Sequence, residues 1–549
     1  MKTFVEESEI LEFSNLILAI AFVFDYSIIL LLTVFFSLYT AKGVAEISID
    51  NSVLAFSEAE TIQFNKSSNR RLTMKLITRR NFMKHSMAAG IGLTMASPFS
   101  RVRGANNDIR VAVVGIHGRG GSHISAFHKM DGVRVAALCD VDRKVLDGRA
   151  KSFRDRNEKV DTYVDVRELL EDKNIDAIGI ATTNHSHSLI TIWACQAGKD
   201  VYVEKPCSHN VFEGRKCVEA ARKYKRMVQH GTQSRAGNFA KMPAIVKSGK
   251  YGKLLVSKGY CCKPRWSIGF EPIKTPPEHL DFNIWLGPAP MQPYHENLVH
   301  YDWHWFWDTG NGDVGNQGVH QMDMARWATG RTLPKSISAL GGRWVNEPGF
   351  KDQGQTPNQL VSVFDYGDMV ILFETRGLVE GKLKGKFSRT TANELYFEEG
   401  VIKGGKFYPK GSDRGEDLVD VEYERCPEGI FENFIKCVRS RRRKDLCADI
   451  LEAHLSSALC HLGNIPYRMG DMQRFEIPED FTDNEIVYDS IKTMIENAKA
   501  IGVNENNAQL MVGPKLEFNP RTEKFVDNPA ADMLLTRPYR KPFVVPERV

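Results

Sequence analysis

A chain of 549 residues is longer than one ordinary hydrophobic core supports, so two domains plus appendages are expected. Hydrophobic residues at 42% and charged residues at 26% are globular proportions and exclude a wholly disordered chain. A net charge of +5, from 73 basic and 68 acidic residues, gives no footing for nucleic-acid binding.

In chain order, residues 16–39 are long and apolar enough to span a bilayer, with Asp25 a cost to insertion. A second signal follows at Met74. Thr78, Arg79, Arg80, Asn81, Phe82, Met83 and Lys84 precede the modest apolar run SMAAGIGLTMASP. Paired arginines, an aromatic, a lysine and a weakly hydrophobic core resemble a twin-arginine export signal. Two such signals in series are redundant. Residues 1–73 are therefore read as an extension from an upstream, mis-called start, with a membrane anchor at 16–39 as the rival, and 74–107 as the signal region. The expected location is periplasmic or otherwise exported, with membrane attachment only if 16–39 is a true anchor.

From residue 108 the pattern becomes that of a doubly wound α/β domain, expected over 108–230. IRVAVVG, ending at Gly115, is a buried-strand run that leads into Ile116, His117, Gly118, Arg119, Gly120 and Gly121. Such glycines permit a tight turn and close approach to a pyrophosphate, and the following helix N-terminus offers free N–H groups. His117 stands where a strict GxGxxG motif has its middle glycine, so alone the loop is a weak signal. The next strand, VRVAALCD, ends in Asp140, placed to hydrogen-bond an adenosine ribose and to repel a 2′-phosphate. NAD is favoured, while Arg143 and Lys144 keep NADP open. Further strands at Asp176–Thr182 and Asp200–Pro206 continue the parallel pattern.

Residues 231–470 alternate short strand-like runs (VSVFDY, MVILFET, ELYFEEG) with Gly-rich turns, as an α+β domain with an antiparallel sheet would. Lys205 falls at a strand's carboxyl end, where open α/β sheets bind ligands. His320 lies in a helical stretch ending at Gly330, with Asn316 and Asp323 at spacings that share its face. Tyr301–Asp313 concentrates aromatics, including Trp303 and Trp305, that suit either a carbohydrate wall or a core plug. His300 and His304 have i, i+4 spacing but no third ligand, so no metal is expected. RSRRRK at 439–444 reads as a solvated basic loop, 449–469 as a helix, and 471–549 as a wrapping tail. Most of the ten cysteines read as reduced, buried side chains.

The Gly-rich loop, CDVD at 139–142, ATTNHSH at 181–187, EKP at 204–206 and GNQGVHQMD at 315–323 together resemble the Gfo/Idh/MocA oxidoreductases. HLGNIPYRMG at 461–470 and LLTRPYRKPFVVP at 534–546 are similar to the exported branch of that family. The resemblance implies a Rossmann NAD(P) domain, a C-terminal α+β domain with a large open, mainly antiparallel sheet, and a sugar or polyol substrate. It implies cofactor contacts from Gly115, His117, Gly118, Arg119, Gly120, Asp140, Thr182, Asn184, His187, Glu204 and Lys205. It makes Lys205 and His320 the catalytic pair, with Gln233, Trp303, Trp305 and His320 toward substrate. The family commonly has aspartate at position 316; here Asn316 cannot act as a base, so Asp313 or Asp323 is expected to supply the missing charge. Export implies a tightly held, recycled nicotinamide, used either for hydride transfer or for transient oxidation with elimination of a glycosidic substituent. A catalytically silent nucleotide-binding protein is the non-enzymatic alternative, and a homo-oligomer is expected.

Overall fold

The computed structural model describes residues 108–344, 351–379, 388–424, 426 and 428–549, together with four short strands before residue 78. These strands form two antiparallel hairpins, β1 (Glu46–Ile49) with β2 (Ser52–Ala55) and β3 (Thr61–Lys66) with β4 (Leu72–Ile77). Met74 sits within β4 opposite Phe64, so strand pairing crosses the expected start. The 16–39 stretch and the arginine pair lie outside the described residues. Among the described residues no helix is long and apolar enough to cross a membrane.

The body of the chain, residues 106–549, is one compact unit holding two sheets. In the first, β5 (Ile109–Val114), β6 (Val133–Cys139), β7 (Asp161–Tyr163), β8 (Ala177–Ile180), β9 (Asp200–Val203) and β10 (Val228–His230) are all parallel, in the order β10-β9-β8-β5-β6-β7. β8 and β9 are buried at every position because helices cover both faces, which is why they read as unbroken apolar runs. The crossover helices α1 (Gly120–His128), α2 (Arg143–Arg154), α3 (Val166–Glu171), α4 (Asn184–Gln196) and α5 (Val211–Lys223) alternate with these strands. Asp142 caps α2 by accepting from the Lys144 and Val145 amides, and Asn210 caps α5 through Glu213 N. This places the mouth of the sheet at the ends of β5, β6, β8 and β9, where the order reverses.

Among the described residues the second sheet has twelve strands. At its centre β11 (Leu254–Cys262) pairs in parallel with β14 (Val370–Arg376) and antiparallel with β15 (Thr390–Phe397). β12 (Ser336–Gly342) and β13 (Gln359–Asp365) extend it antiparallel beyond β14. The sheet is thus mainly antiparallel, with one parallel pair at its middle. One face carries the site-bearing helices α6 (Gly312–Gly315) and α7 (Gly318–Thr329).

Three features cut across the boundaries expected from the sequence. First, α8 (Ile430–Ser440) packs on the Rossmann domain: Phe431 stacks on Tyr202 at 4.2 Å, and Phe434 is fully buried with Phe127. The basic run that follows is not simply solvated, because Arg439 donates to the carbonyl of Gly132 at 2.9 Å and Arg441 pairs with Asp200 at 2.5 Å. Second, α9 (Ile450–Arg468), capped by Asp449, belongs to both cores: Ile450 and Ala453 join the Rossmann cluster, while Leu455, Ala458 and Leu459 join that of the second sheet. Third, the expected tail divides. Residues 471–474, 509–512 and 516–519 extend the sheet, and α10 (Glu485–Ala500) covers its other face through Val487, Ile491 and Met494. Only the last residues wrap, and they wrap the Rossmann domain rather than the sheet, because Phe543 and Val545 find their apolar partners there.

Eight cysteines are free and buried, as expected of small apolar side chains, but Cys426 and Cys447 form a disulfide that pins the approach to α8 against the entry to α9. Replacing Cys447 by serine is expected to lower unfolding stability by about 3 kcal/mol, the usual effect of opening a loop of this length, measured by urea denaturation with and without reductant.

Candidate functional site

A cavity of about 630 Å³ runs from the Gly-rich loop to the helix pair of the second sheet. Its floor at one end is the β5–α1 turn. Gly115 has φ +79°, and a Cβ there would lie 2.7 Å from the Thr182 amide nitrogen. A Cβ on Gly120 would lie 1.9 Å from the Gly115 carbonyl oxygen, so this glycine closes the turn rather than facing the cavity. At Gly118 a Cβ would meet nothing within 4 Å. The turn is therefore packed tightly on its inner side and open on the outer one, and no side chain caps the first turn of α1. That is the arrangement a pyrophosphate requires.

Asp140 follows β6 and lines the same cavity. Its oxygens accept from Ile116 N at 2.8 Å and Asp142 N at 3.0 Å, which fixes the carboxylate and leaves lone pairs for two hydroxyls. Burial raises its pKa. A strap from the second domain crosses this end. Arg143 N donates to His279 O at 2.8 Å, Asp281 N to Val141 O at 2.9 Å, and His279 and His300 both contact Asp142. His117 stacks on His300 with ring centroids 4.3 Å apart. Arg143 and Lys144 are absent from the cavity lining. Trp193, Ile284, Trp285 and Phe543 add an apolar lining beside this strap. Arg540 anchors the tail beside them, donating to Ala289 O at 3.1 Å and Asn283 Oδ1 at 2.8 Å.

At the opposite end Lys205 Nζ donates to Asn316 O at 2.8 Å and Asn316 Oδ1 at 3.2 Å. Burial lowers the lysine's pKa, countered by the charges of Glu204 and Asp313. Both acceptors are neutral. A neutral amine has two N–H groups for them and keeps its lone pair, so Asn316 suits an uncharged lysine where an aspartate would demand an ammonium. The expected single helix face does not form: α6 ends at Gly315, and Asn316 (φ −92°, ψ −89°) breaks the chain before α7 begins. That break turns both Asn316 oxygens to Lys205. Its segment is pinned from all sides: Asn311 Nδ2 donates to His209 O and Asn464 Nδ2 to Asn311 O, both at 2.9 Å. A Cβ on Gly310 would lie 2.3 Å from the His304 carbonyl oxygen, so only glycine fits there.

Neither carboxylate expected to replace an aspartate at 316 meets Lys205 or His320. Asp323 is fully buried against Arg235 at 2.8 Å and accepts from Ser456; burial opposes its charge, yet Arg235 brings its pKa down to about 2. Asp313 is held by Arg265 at 2.8 Å, with Cys261 Sγ at 3.0 Å. Both are structural charges because each has its own arginine. His320 lines the cavity, and burial lowers its pKa to about 4. Glu204 also lines it, but its Oε1 is taken by Arg119 Nε at 2.7 Å and lies 3.1 Å from His123 Nε2. Although burial works against its charge, the His123 contact and Arg119 hold its pKa below the usual range.

Thr182, Asn184, His187 and Gln233 line the cavity as expected. His187 is committed to backbone, with Nδ1 2.6 Å from Pro206 O and Nε2 3.1 Å from Thr182 O, so it holds the strand ends rather than reaching for a ligand. Trp303 lines the cavity; Trp305 does not, because its indole turns to Asp302 at 3.0 Å and its ring lies under Arg265. Sequence reasoning missed the closing residues Trp193, Ile284, Trp285 and Phe543, which come together only through the fold. It also missed Tyr301 and His304 as cavity residues; the aromatic density of their segment was the available signal. Among the described residues no cluster of His, Cys, Asp and Glu could hold a metal.

Residues 109–232 match the family model described as an oxidoreductase family with an NAD-binding Rossmann fold, and 241–339 match that of its C-terminal alpha/beta domain. The chain is similar to inositol 2-dehydrogenase of Salmonella typhimurium, 30% identical over 155 residues, covering 28% of this chain and 45% of that one. It is also similar to a glycosyl hydrolase family 109 protein of Shewanella baltica, 27% identical over 221 residues, covering 36% and 48%. The chain thus spans about half the length of the curated relatives it matches. Among solved structures, the WlbA dehydrogenase of Bordetella pertussis, in complex with NADH and UDP-GlcNAcA, aligns at TM-score 0.48 and 18% identity, covering 65% of this chain and 95% of that one.

If two neutral acceptors keep Lys205 poised, Asn316→Asp places a carboxylate against Nζ and raises its pKa. With Lys205 as the proposed base, the rising limb of kcat/KM with pH is expected to move to higher pH in that variant. A pH–rate profile on both proteins checks the direction.

Proposed function

The chain belongs, through residues 109–232 and 241–339, to the Gfo/Idh/MocA oxidoreductase family, and on that premise we propose that it is an NAD-dependent dehydrogenase of a sugar or polyol secondary hydroxyl. The observation that carries this reading is Lys205 Nζ, held by two neutral oxygens in a cavity that also contains the open side of the Gly118 turn and His320. The Gly115–Gly120 turn would take the pyrophosphate and Asp140 the adenosine ribose. A 2′-phosphate at that ribose would meet Asp140 with Asp142 beside it, which supports NAD over NADP.

When bound, the nicotinamide supplies the hydride acceptor. Lys205 takes the hydroxyl proton as the carbinol hydride departs, leaving a carbonyl. His320, neutral at ordinary pH, hydrogen-bonds the substrate oxygen. Trp303 offers a flat face to a sugar ring. The strap over Asp140 and the tail residue Phe543 enclose the nucleotide end, supporting a cofactor that stays bound and is recycled. Retention is also what an exported enzyme needs, and the Cys426–Cys447 disulfide fits an oxidising, extracytoplasmic location.

A second reading shares this site: transient oxidation of a sugar carbon acidifies the C–H beside it, loss of that proton expels the glycosidic substituent from the next carbon, water adds to the resulting enone, and return of the hydride restores the hydroxyl. The likeness to a glycosyl hydrolase family 109 protein and the enclosed cofactor end favour it.

Protein purified without added nucleotide is expected to release NAD on denaturation; empty protein that needs added NAD would refute recycling. Lys205→Met is expected to keep the nucleotide and lose roughly 100- to 10,000-fold in turnover. Phe543→Ala is expected to raise the nucleotide dissociation constant about tenfold or more, read by nucleotide retained through gel filtration.

A further inference from the structure

His304 lines the cavity and takes no part in the chemistry above. It is 8% exposed and stacks on Trp303, with ring centroids 3.6 Å apart and planes 20° from parallel. Its Nδ1 lies 2.5 Å from the carbonyl oxygen of Tyr301. A carbonyl can only accept, so the proton of the neutral ring sits on Nδ1 and Nε2 is left as a bare acceptor. Burial, opposed by the Tyr301 contact, lowers the pKa to about 3, so the ring stays neutral. Among the described residues Nε2 has no partner, and it is not among the occluded, unsatisfied atoms. His304 lines the same cavity as Lys205, Asn316 and His320.

We propose that His304 is a substrate-binding residue that selects a polyhydroxylated ring, its Nε2 accepting from a hydroxyl other than the one oxidised beside Lys205. The assignment rests on the dehydrogenase reading and narrows it. The bare nitrogen demands a donor: a hydroxyl satisfies it, whereas a deoxy carbon, a methoxy group or a carboxylate does not. Tyr301 O fixes the ring by its other nitrogen, and Trp303 holds its plane, so the acceptor is preorganised rather than recruited.

Two substitutions separate the halves of the ring. Asparagine can reproduce the Nδ1 bond to Tyr301 and lacks the outer acceptor; glutamine reaches as far as Nε2. Wild type, His304→Asn and His304→Gln, each purified with bound nucleotide, are mixed with myo-inositol, D-glucose, D-galactose, N-acetyl-D-glucosamine and the monodeoxy forms of whichever reacts, and nicotinamide reduction is followed. His304→Asn is expected to lose about tenfold in kcat/KM, mainly through KM, and His304→Gln to stay within about threefold of wild type. One monodeoxy analogue is expected to react equally with wild type and His304→Asn, because the hydroxyl that distinguishes them is gone. Unchanged kinetics in His304→Asn, or the same loss with every deoxy analogue, overturns the assignment while leaving the dehydrogenase reading standing. If no polyol reduces the nicotinamide of the wild type, the dehydrogenase reading fails and the assignment falls with it.

Discussion

Two hydrogen bonds from Lys205 Nζ to Asn316 join the end of β9 to the break between α6 and α7. The amine is buried, and burial of an ammonium is costly unless a counter-charge meets it. Here the carboxylates that could have met it are engaged elsewhere: Asp313 by Arg265, Asp323 by Arg235, and Glu204 by Arg119 and His123. The surrounding architecture therefore does two things. It keeps negative charge close enough to hold the protein together and out of hydrogen-bond reach of the one amine whose lone pair matters. The two neutral oxygens of Asn316 then favour the uncharged amine, the state that the proposed base requires.

That arrangement depends on the helix break. A continuous helix from Gly312 to Thr329 would spend the Asn316 carbonyl on a backbone amide within the helix. The break frees it, and polar contacts from His209, Asn464 and Asn184 to Asn311 hold the preceding turn in place. α9 contributes Asn464 to that turn and Ser456 to Asp323 while serving both hydrophobic cores. Displacing it would disturb the site and the packing together. The site is thus held by elements that stability already requires.

Cavity closure follows the same economy. The strap reaches Asp142 through main-chain bonds and two imidazoles, and the tail reaches the strap through Arg540. Residues of both, Ile284, Trp285 and Phe543, line the same cavity as Tyr301, Trp303 and His304.

The parallel sheet, the Gly-rich turn, the acid after β6 and the lysine after β9 were legible in the amino-acid order, because each is local: apolar runs bury both faces of a strand, and glycine alone permits the Gly115 turn. That order also indicated a mainly antiparallel second sheet and a long helix near 450–468. The tertiary structure alone decided that Asn316 leaves the helix of His320, that Asp323 and Trp305 face away from the cavity, that α8 and the last tail residues belong to the Rossmann core, and that Phe543 closes the nucleotide end. Most of those outcomes depend on partners distant in the chain, such as Arg540 with Asn283, Asn464 with Asn311 and Arg235 with Asp323. Periodicity reports which face of an element is apolar; it carries no information about which distant arginine will claim a carboxylate, and that competition set the chemistry of this site.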